Sequence, residues 1–198
     1  MKQIEITTNV YQSLQEVDQL LTGQGFTIIR RSRVEDQYMT MDSDPTKEED
    51  ILTTLSHSLL VRYLKVEGKE PSRRLTYKKK VYDGDTVLTE EKLSTGIDNT
   101  EKTIQILEAL GFHKLVDVKY DVVVYAKGNL ELCFQQVENL GLLLEYESLE
   151  TFEDASSEDV LKEKNKMLEK IRSYQLEVSD DYDVKKAYQL IKNQMRGV

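Results

Sequence analysis

Apolar and polar residues alternate strictly along several stretches of this chain and recur at helical spacing along others, which predicts a mixture of strands and amphipathic helices. Ile4 and Ile6 alternate with Gln3, Glu5 and Thr7, so the chain opens on a strand with Glu5 on its polar face. Val10, Leu14, Val17, Leu20 and Leu21 then repeat at helical spacing, with Asn9 as the expected N-cap and Gly23 as the stop. Extended structure resumes at Gly25-Phe26 and runs through Arg33 to Met41, carrying an Asp-x-Tyr at Asp36 and Tyr38. Turn chemistry at Asp42-Ser43-Asp44-Pro45 precedes a short helix from Lys47 to Leu55.

Leu59 to Val66 is a strand in which Arg62 stands alone among apolar neighbours, a charge that needs water, an anion or a carboxylate such as Glu5 or Glu145 on its side of the sheet. In the next strand Arg74, Thr76, Lys78, Lys80 and Tyr82 share one face, with Leu75, Tyr77 and Val81 behind them. A hairpin turn at Asp83-Gly84-Asp85 leads to a return strand from Val87 to Ser94. Asp98-Asn99-Thr100 caps a second helix through Ile104, Ile106, Leu107 and Leu110 that stops at Gly111. Its ending, Leu-Glu-Ala-Leu-Gly-Phe, echoes the Leu-Leu-Thr-Gly-Gln-Gly-Phe that ends the first helix, which suggests two similar halves of strand, helix and hairpin.

The second half alternates most cleanly. Val116, Val118, Tyr120, Val122 and Val124 fall on one face, with Asp117, Lys119 and Asp121 on the other. After a turn at Gly128-Asn129, Leu130, Leu132 and Phe134 oppose Glu131, Cys133 and Gln135. Beyond Leu140-Gly141, Leu142, Leu144 and Tyr146 oppose Glu145 and Glu147. From Ser156 onward the period becomes helical: Val160, Leu161, Lys164, Met167, Leu168 and Ile171 make one stripe. Val184, Ala187, Tyr188, Ile191 and Met195 make a second, with Ser179-Asp180-Asp181 as its expected cap. Both helices are expected to pack outside the sheet.

Periodicity alone fits two arrangements: an open sheet whose charged faces are wetted, or a sheet curled shut around a charged interior. Composition narrows the function. A chain of 198 residues with net charge -9 is not built to hold a nucleic-acid duplex, so the basic cluster Arg73, Arg74, Lys78, Lys79 and Lys80 is a local feature. One cysteine, Cys133, excludes an internal disulfide, and two histidines without ligand spacing argue against a nitrogen- and sulfur-ligated zinc site. The start Met1-Lys2-Gln3-Ile4-Glu5 lacks an apolar signal region and no run reaches membrane length, so the expected location is cytoplasmic, with no membrane partner.

In order along the chain stand Glu5; Gly25-Phe26; Asp36 and Tyr38; Leu59 to Arg62; Leu75-Thr76-Tyr77-Lys78; Leu110-Gly111-Phe112; and, after Leu140-Gly141, Glu145 with Glu147. This series resembles the CYTH superfamily, the triphosphate tunnel metalloenzymes, which include class IV adenylate cyclases, thiamine triphosphatases and inorganic triphosphatases. The resemblance spans roughly residues 1 to 150, with residues 151 to 198 as C-terminal helices packed on it, all within a single domain. It implies an α+β fold around a closed eight-stranded antiparallel barrel, the triphosphate tunnel. The chain departs from the family where Glu5-Ile6-Thr7-Thr8-Asn9 keeps one carboxylate of a Glu-x-Glu-x-Lys strand, where Leu60 replaces the first arginine of Leu-Arg-x-Arg, and where Asp121 and Gln135 replace an arginine and an aspartate.

What the resemblance implies for chemistry is phosphoryl transfer, which needs cations for the phosphate oxygens and carboxylates for Mg²⁺ or Mn²⁺. Arg62, Lys78, Lys80 and Lys119 are the expected phosphate ligands; Glu5, Glu145 and Glu147 the expected metal ligands; Glu5, Lys78 and Glu147 the expected catalytic set. The expected activity is hydrolysis of a triphosphate-containing small molecule. Class IV-type adenylate cyclase activity and a catalytically weak polyanion-binding or regulatory protein are the alternatives, and the sequence leaves monomer and homodimer equally open.

Overall fold

A computed structural model of the chain describes residues 2–83, 86–152 and 156–197, with side-chain surroundings defined for 4–77, 93–148, 156 and 158–197. In order the elements are β1 (Lys2–Val10), α1 (Leu14–Gly23), β2 (Thr27–Thr40), a 3-10 turn (Glu48–Asp50) running into α2 (Ile51–Ser56), and β3 (Leu59–Val66). They continue with β4 (Ser72–Asp83), β5 (Thr86–Gly96), α3 (Thr100–Ala109), β6 (His113–Lys127), β7 (Leu130–Val137), β8 (Gly141–Phe152), α4 (Ser157–Ser173) and α5 (Lys186–Arg196). The fold class is α+β as expected, on an eight-stranded sheet ordered β1-β8-β7-β6-β2-β3-β4-β5. The pairings β1–β8, β7–β8, β6–β7, β3–β4 and β4–β5 are all antiparallel. No helix among the described residues is long and apolar enough to cross a membrane.

The closed barrel is not what forms: the strand order is linear, with β1 and β5 at its ends. The edge of β1 that β8 leaves free is occupied by the chain itself. Thr7 N–H donates to the Tyr182 carbonyl at 2.8 Å, Val184 N–H to the Thr7 carbonyl at 3.0 Å, Ser179 N–H to the Asn9 carbonyl at 3.0 Å and Tyr11 N–H to the Glu177 carbonyl at 2.9 Å. With its backbone groups satisfied this way, β1 from Thr7 onward has no open edge to offer a closing strand. The same contacts correct a second expectation. Ser179-Asp180-Asp181 does not cap a helix; it lies in the segment that borders β1, and α5 begins only at Lys186.

The chain divides into two compact units, one of residues 1–32 and 120–185, the other of 33–119 and 186–198. In the first, Ile4, Ile6 and Val10 of β1, Leu142, Leu144 and Tyr146 of β8, Leu130, Leu132 and Phe134 of β7, and Val123 and Tyr125 of β6 bury against Val17 and Leu21 of α1 and Met167, Leu168 and Ile171 of α4. The alternation read from β1, β7 and β8 thus places the helices against the apolar face. On β6 it is reversed: the odd positions, Val123 and Tyr125, enter this core, so Val122 and Val124 lie on the face shared with the carboxylates. The second unit buries Leu107 of α3 with Met39 and Val61.

The helix ends explain the echoed sequences. In α1 the Phe26 N–H reaches the Leu21 carbonyl and the Gly25 N–H the Thr22 carbonyl, both at 3.0 Å; in α3 Phe112 and Gly111 make the same two bonds to Leu107 and Glu108, again at 3.0 Å. This is the Schellman arrangement, which needs a left-handed residue, and glycine supplies it at both ends, with φ 85° at Gly25 and 95° at Gly111. The N-cap of α1 is Ser13 rather than the expected Asn9: its side chain accepts from Glu16 N–H while Glu16 accepts from the Ser13 N–H, a capping box that Asn9, held in β1, cannot form. Asn99 caps α3 as expected.

Candidate functional site

In the first unit the carboxylates gather on one face of β1 and β8. Antiparallel register sets Glu5 directly across from Glu147, and Thr7 across from Glu145, which faces Cys133 of β7 in turn. Like charges directly opposed on an antiparallel pair repel at short range, so Glu5 and Glu147 concentrate negative charge at one point of this face. Glu5 and Glu147 are exposed, whereas Glu145 is half-buried and tied down: the Gln135 amide, itself 3% exposed, donates to Glu145 Oε2 at 2.8 Å and to Cys133 Sγ at 3.7 Å. Among the described residues no three His, Cys, Asp or Glu side chains gather to hold a metal ion. The opposed pair suits a different kind of site, since Mg²⁺ keeps much of its water and binds through one or two carboxylates plus substrate phosphates.

The second unit carries the cations. Arg62 stands on the face of β3 opposite Val61, and Asp36 of β2 is an anion it pairs with. Arg62 Nε donates to Asp36 Oδ1 and Nη2 to Oδ2, each at 2.6 Å, with Asp36 only 4% exposed. This side-on fork neutralises a buried carboxylate and accounts for the lone arginine of β3. Arg74 of β4 is directly opposite Arg62, and one step along the same face Thr76 Oγ1 lies 2.9 Å from Ser94 Oγ of β5. The backbone places Lys78 opposite Lys92 and Lys80 opposite Glu90, but the side chains of Lys78 and Lys80 lie outside the described residues, as does the turn at Gly84-Asp85.

Lys119 does not join this face. It lines a cavity of about 160 Å³ with Glu35, Tyr63, Asp117 and Thr100 of α3, on the side of β3 that carries Val61 and Tyr63, away from Arg62. The reversed parity of β6 is the reason. His57 and His113 pair with Asp42 and Asp44 at 3.5 and 3.0 Å and take no part. Sequence reasoning singled out Glu5, Glu145, Glu147 and Arg62 and placed Arg74 and Gln135 on polar faces without giving either a role; strand register shows which residues they stand beside.

No family model matches the chain. A Methanocaldococcus jannaschii protein named "Putative adenylate cyclase" is 27% identical over 188 residues, 95% of this chain and 97% of that protein. The PH1819 protein from Pyrococcus horikoshii OT3 superposes with a TM-score of 0.67 at 19% identity, covering 97% of this chain and 99% of its own. The X-ray structure of a "putative adenylate cyclase" from Vibrio parahaemolyticus superposes with a TM-score of 0.59 at 12% identity, covering 96% and 97%. Over nearly its whole length, the chain shares the fold of these proteins.

Proposed function

We propose that the protein binds a triphosphate-containing small molecule together with Mg²⁺ or Mn²⁺ and hydrolyses it, as a divergent CYTH-like protein. The observation that carries this reading is the register that sets Glu5 directly across from Glu147, two exposed carboxylates on one face of β1 and β8, the number Mg²⁺ takes beside substrate phosphates. Those two would hold the metal, which when bound draws charge from the phosphoryl oxygens. Glu145, oriented by Gln135, sets the charge of the same face. The second unit carries a cationic face of its own on β4, with Arg74 and the positions of Lys78 and Lys80 in one row. The names of the similar proteins favour a second reading, cyclisation of ATP, in which the 3′-hydroxyl replaces water as nucleophile.

Tripolyphosphate, thiamine triphosphate and ATP, each with Mg²⁺ or Mn²⁺, separate the readings. Phosphate release is the expected result; cyclic AMP with pyrophosphate would make the protein a cyclase, and binding without turnover a regulatory protein. Glu147→Gln and Lys78→Ala should each lower the rate at least about tenfold, a change of ~1.4 kcal/mol. An unchanged rate removes that residue from the mechanism.

A further inference from the structure

We propose that Arg74, rather than Arg62, is the guanidinium that grips the phosphates of an elongated polyanion in the second unit. The inference rests on the triphosphate-binding reading above and assigns its ligand.

Arg62 is spent on the fold. Its Nε and Nη2 both bond Asp36, so its bidentate edge is filled and its charge cancelled by a carboxylate that has no water to turn to. Arg74, its direct cross-strand neighbour, is exposed and makes no ion pair or hydrogen bond among the described residues. Two arginines in direct register repel unless anions intervene. Asp36 serves one of them, and the other is left for a ligand.

The ground beside Arg74 is shaped for one. Its neighbour on β5 is Gly96, where a Cβ would meet nothing within 4 Å, so no side chain shields the guanidinium on that side. Two residues along the same face, about 7 Å away, Thr76 Oγ1 and Ser94 Oγ share one hydrogen bond. A hydroxyl pair so joined keeps one O–H to donate. A fork of donors, an open floor and a hydroxyl donor in line fit a chain of phosphates better than a single one, because one tetrahedral anion does not span both rows.

Calorimetric titration with tripolyphosphate tests this on the full chain. Arg74→Gln is expected to weaken binding at least about tenfold. Gly96→Val, whose Cβ meets no heavy atom within 4 Å, should weaken it comparably without lowering the melting temperature. Arg62→Lys, which keeps the charge but not the fork, should lower the melting temperature and hold affinity within about threefold. Arg74→Gln binding as tightly as the unaltered chain overturns the assignment of Arg74, whereas an unaltered chain that binds no tripolyphosphate overturns the functional reading itself.

Discussion

Tyr125 illustrates how a single buried polar group sets a pH limit. Its ring packs edge-on to Phe134 in the core of the first unit, and its hydroxyl donates to Asp18 Oδ1 at 2.8 Å. Burial, reinforced by the bond to Asp18, raises the phenol above its ordinary value. A raised folded-state value means that the stability it contributes is fully present below the unfolded phenol's value, near 10. That stability is lost as pH climbs toward the folded value, because the unfolded chain sheds the proton first. Tyr125→Phe should therefore cost about 1 kcal/mol at neutral pH and flatten the loss of stability above about pH 10, as measured by urea titrations at several pH values. An equally steep decline in the variant would place the alkaline limit elsewhere. At this scale the sequence marked Arg62 as needing an anion and left Tyr125 unmarked; both partners, Asp36 and Asp18, lie away along the chain and became identifiable only through folding.

At the scale of elements, local chemistry was legible wherever a few adjacent residues settle it. Alternation defined β1, β7 and β8, and the paired Leu-x-x-x-Gly-Phe endings announced two helix stops that prove geometrically equivalent. Gly25→Ala and Gly111→Ala should each cost about 1 to 2 kcal/mol, since the left-handed backbone is needed at both and only ordinary contact awaits the new methyl. Denaturation midpoints that fall together at constant m-value would bear this out; a change in one alone would break the equivalence. What local signals misplaced were two helix caps. Asn9 and Ser179 both have cap chemistry, but each lies in a stretch that hydrogen-bonds as extended chain, and Ser13 and Lys186 mark the actual starts. The side chain of α5 contacts tells the same story: Tyr188, Lys192 and Arg196 all converge on Glu48, more than a hundred residues earlier.

For the whole molecule, the segment from Glu177 to Val184 is decisive because it occupies the edge of β1. Ser179→Pro removes the N–H that bonds the Asn9 carbonyl and should destabilise the chain by about 1 to 3 kcal/mol. It should also raise concentration-dependent association, by exposing a strand edge, as read by light scattering. A monodisperse variant of unchanged stability would show that the segment is dispensable there. The sequence by itself determined the strands, the two-period alternation and the residue types on each face, because these depend on side-chain spacing within a few residues. Whether the sheet closes, which parity of β6 meets the helices, and which arginine pairs with Asp36 were decided only by tertiary structure. Each is a competition among backbone edges and carboxylates that are remote in sequence, and it is resolved by whichever partner arrives at hydrogen-bonding distance.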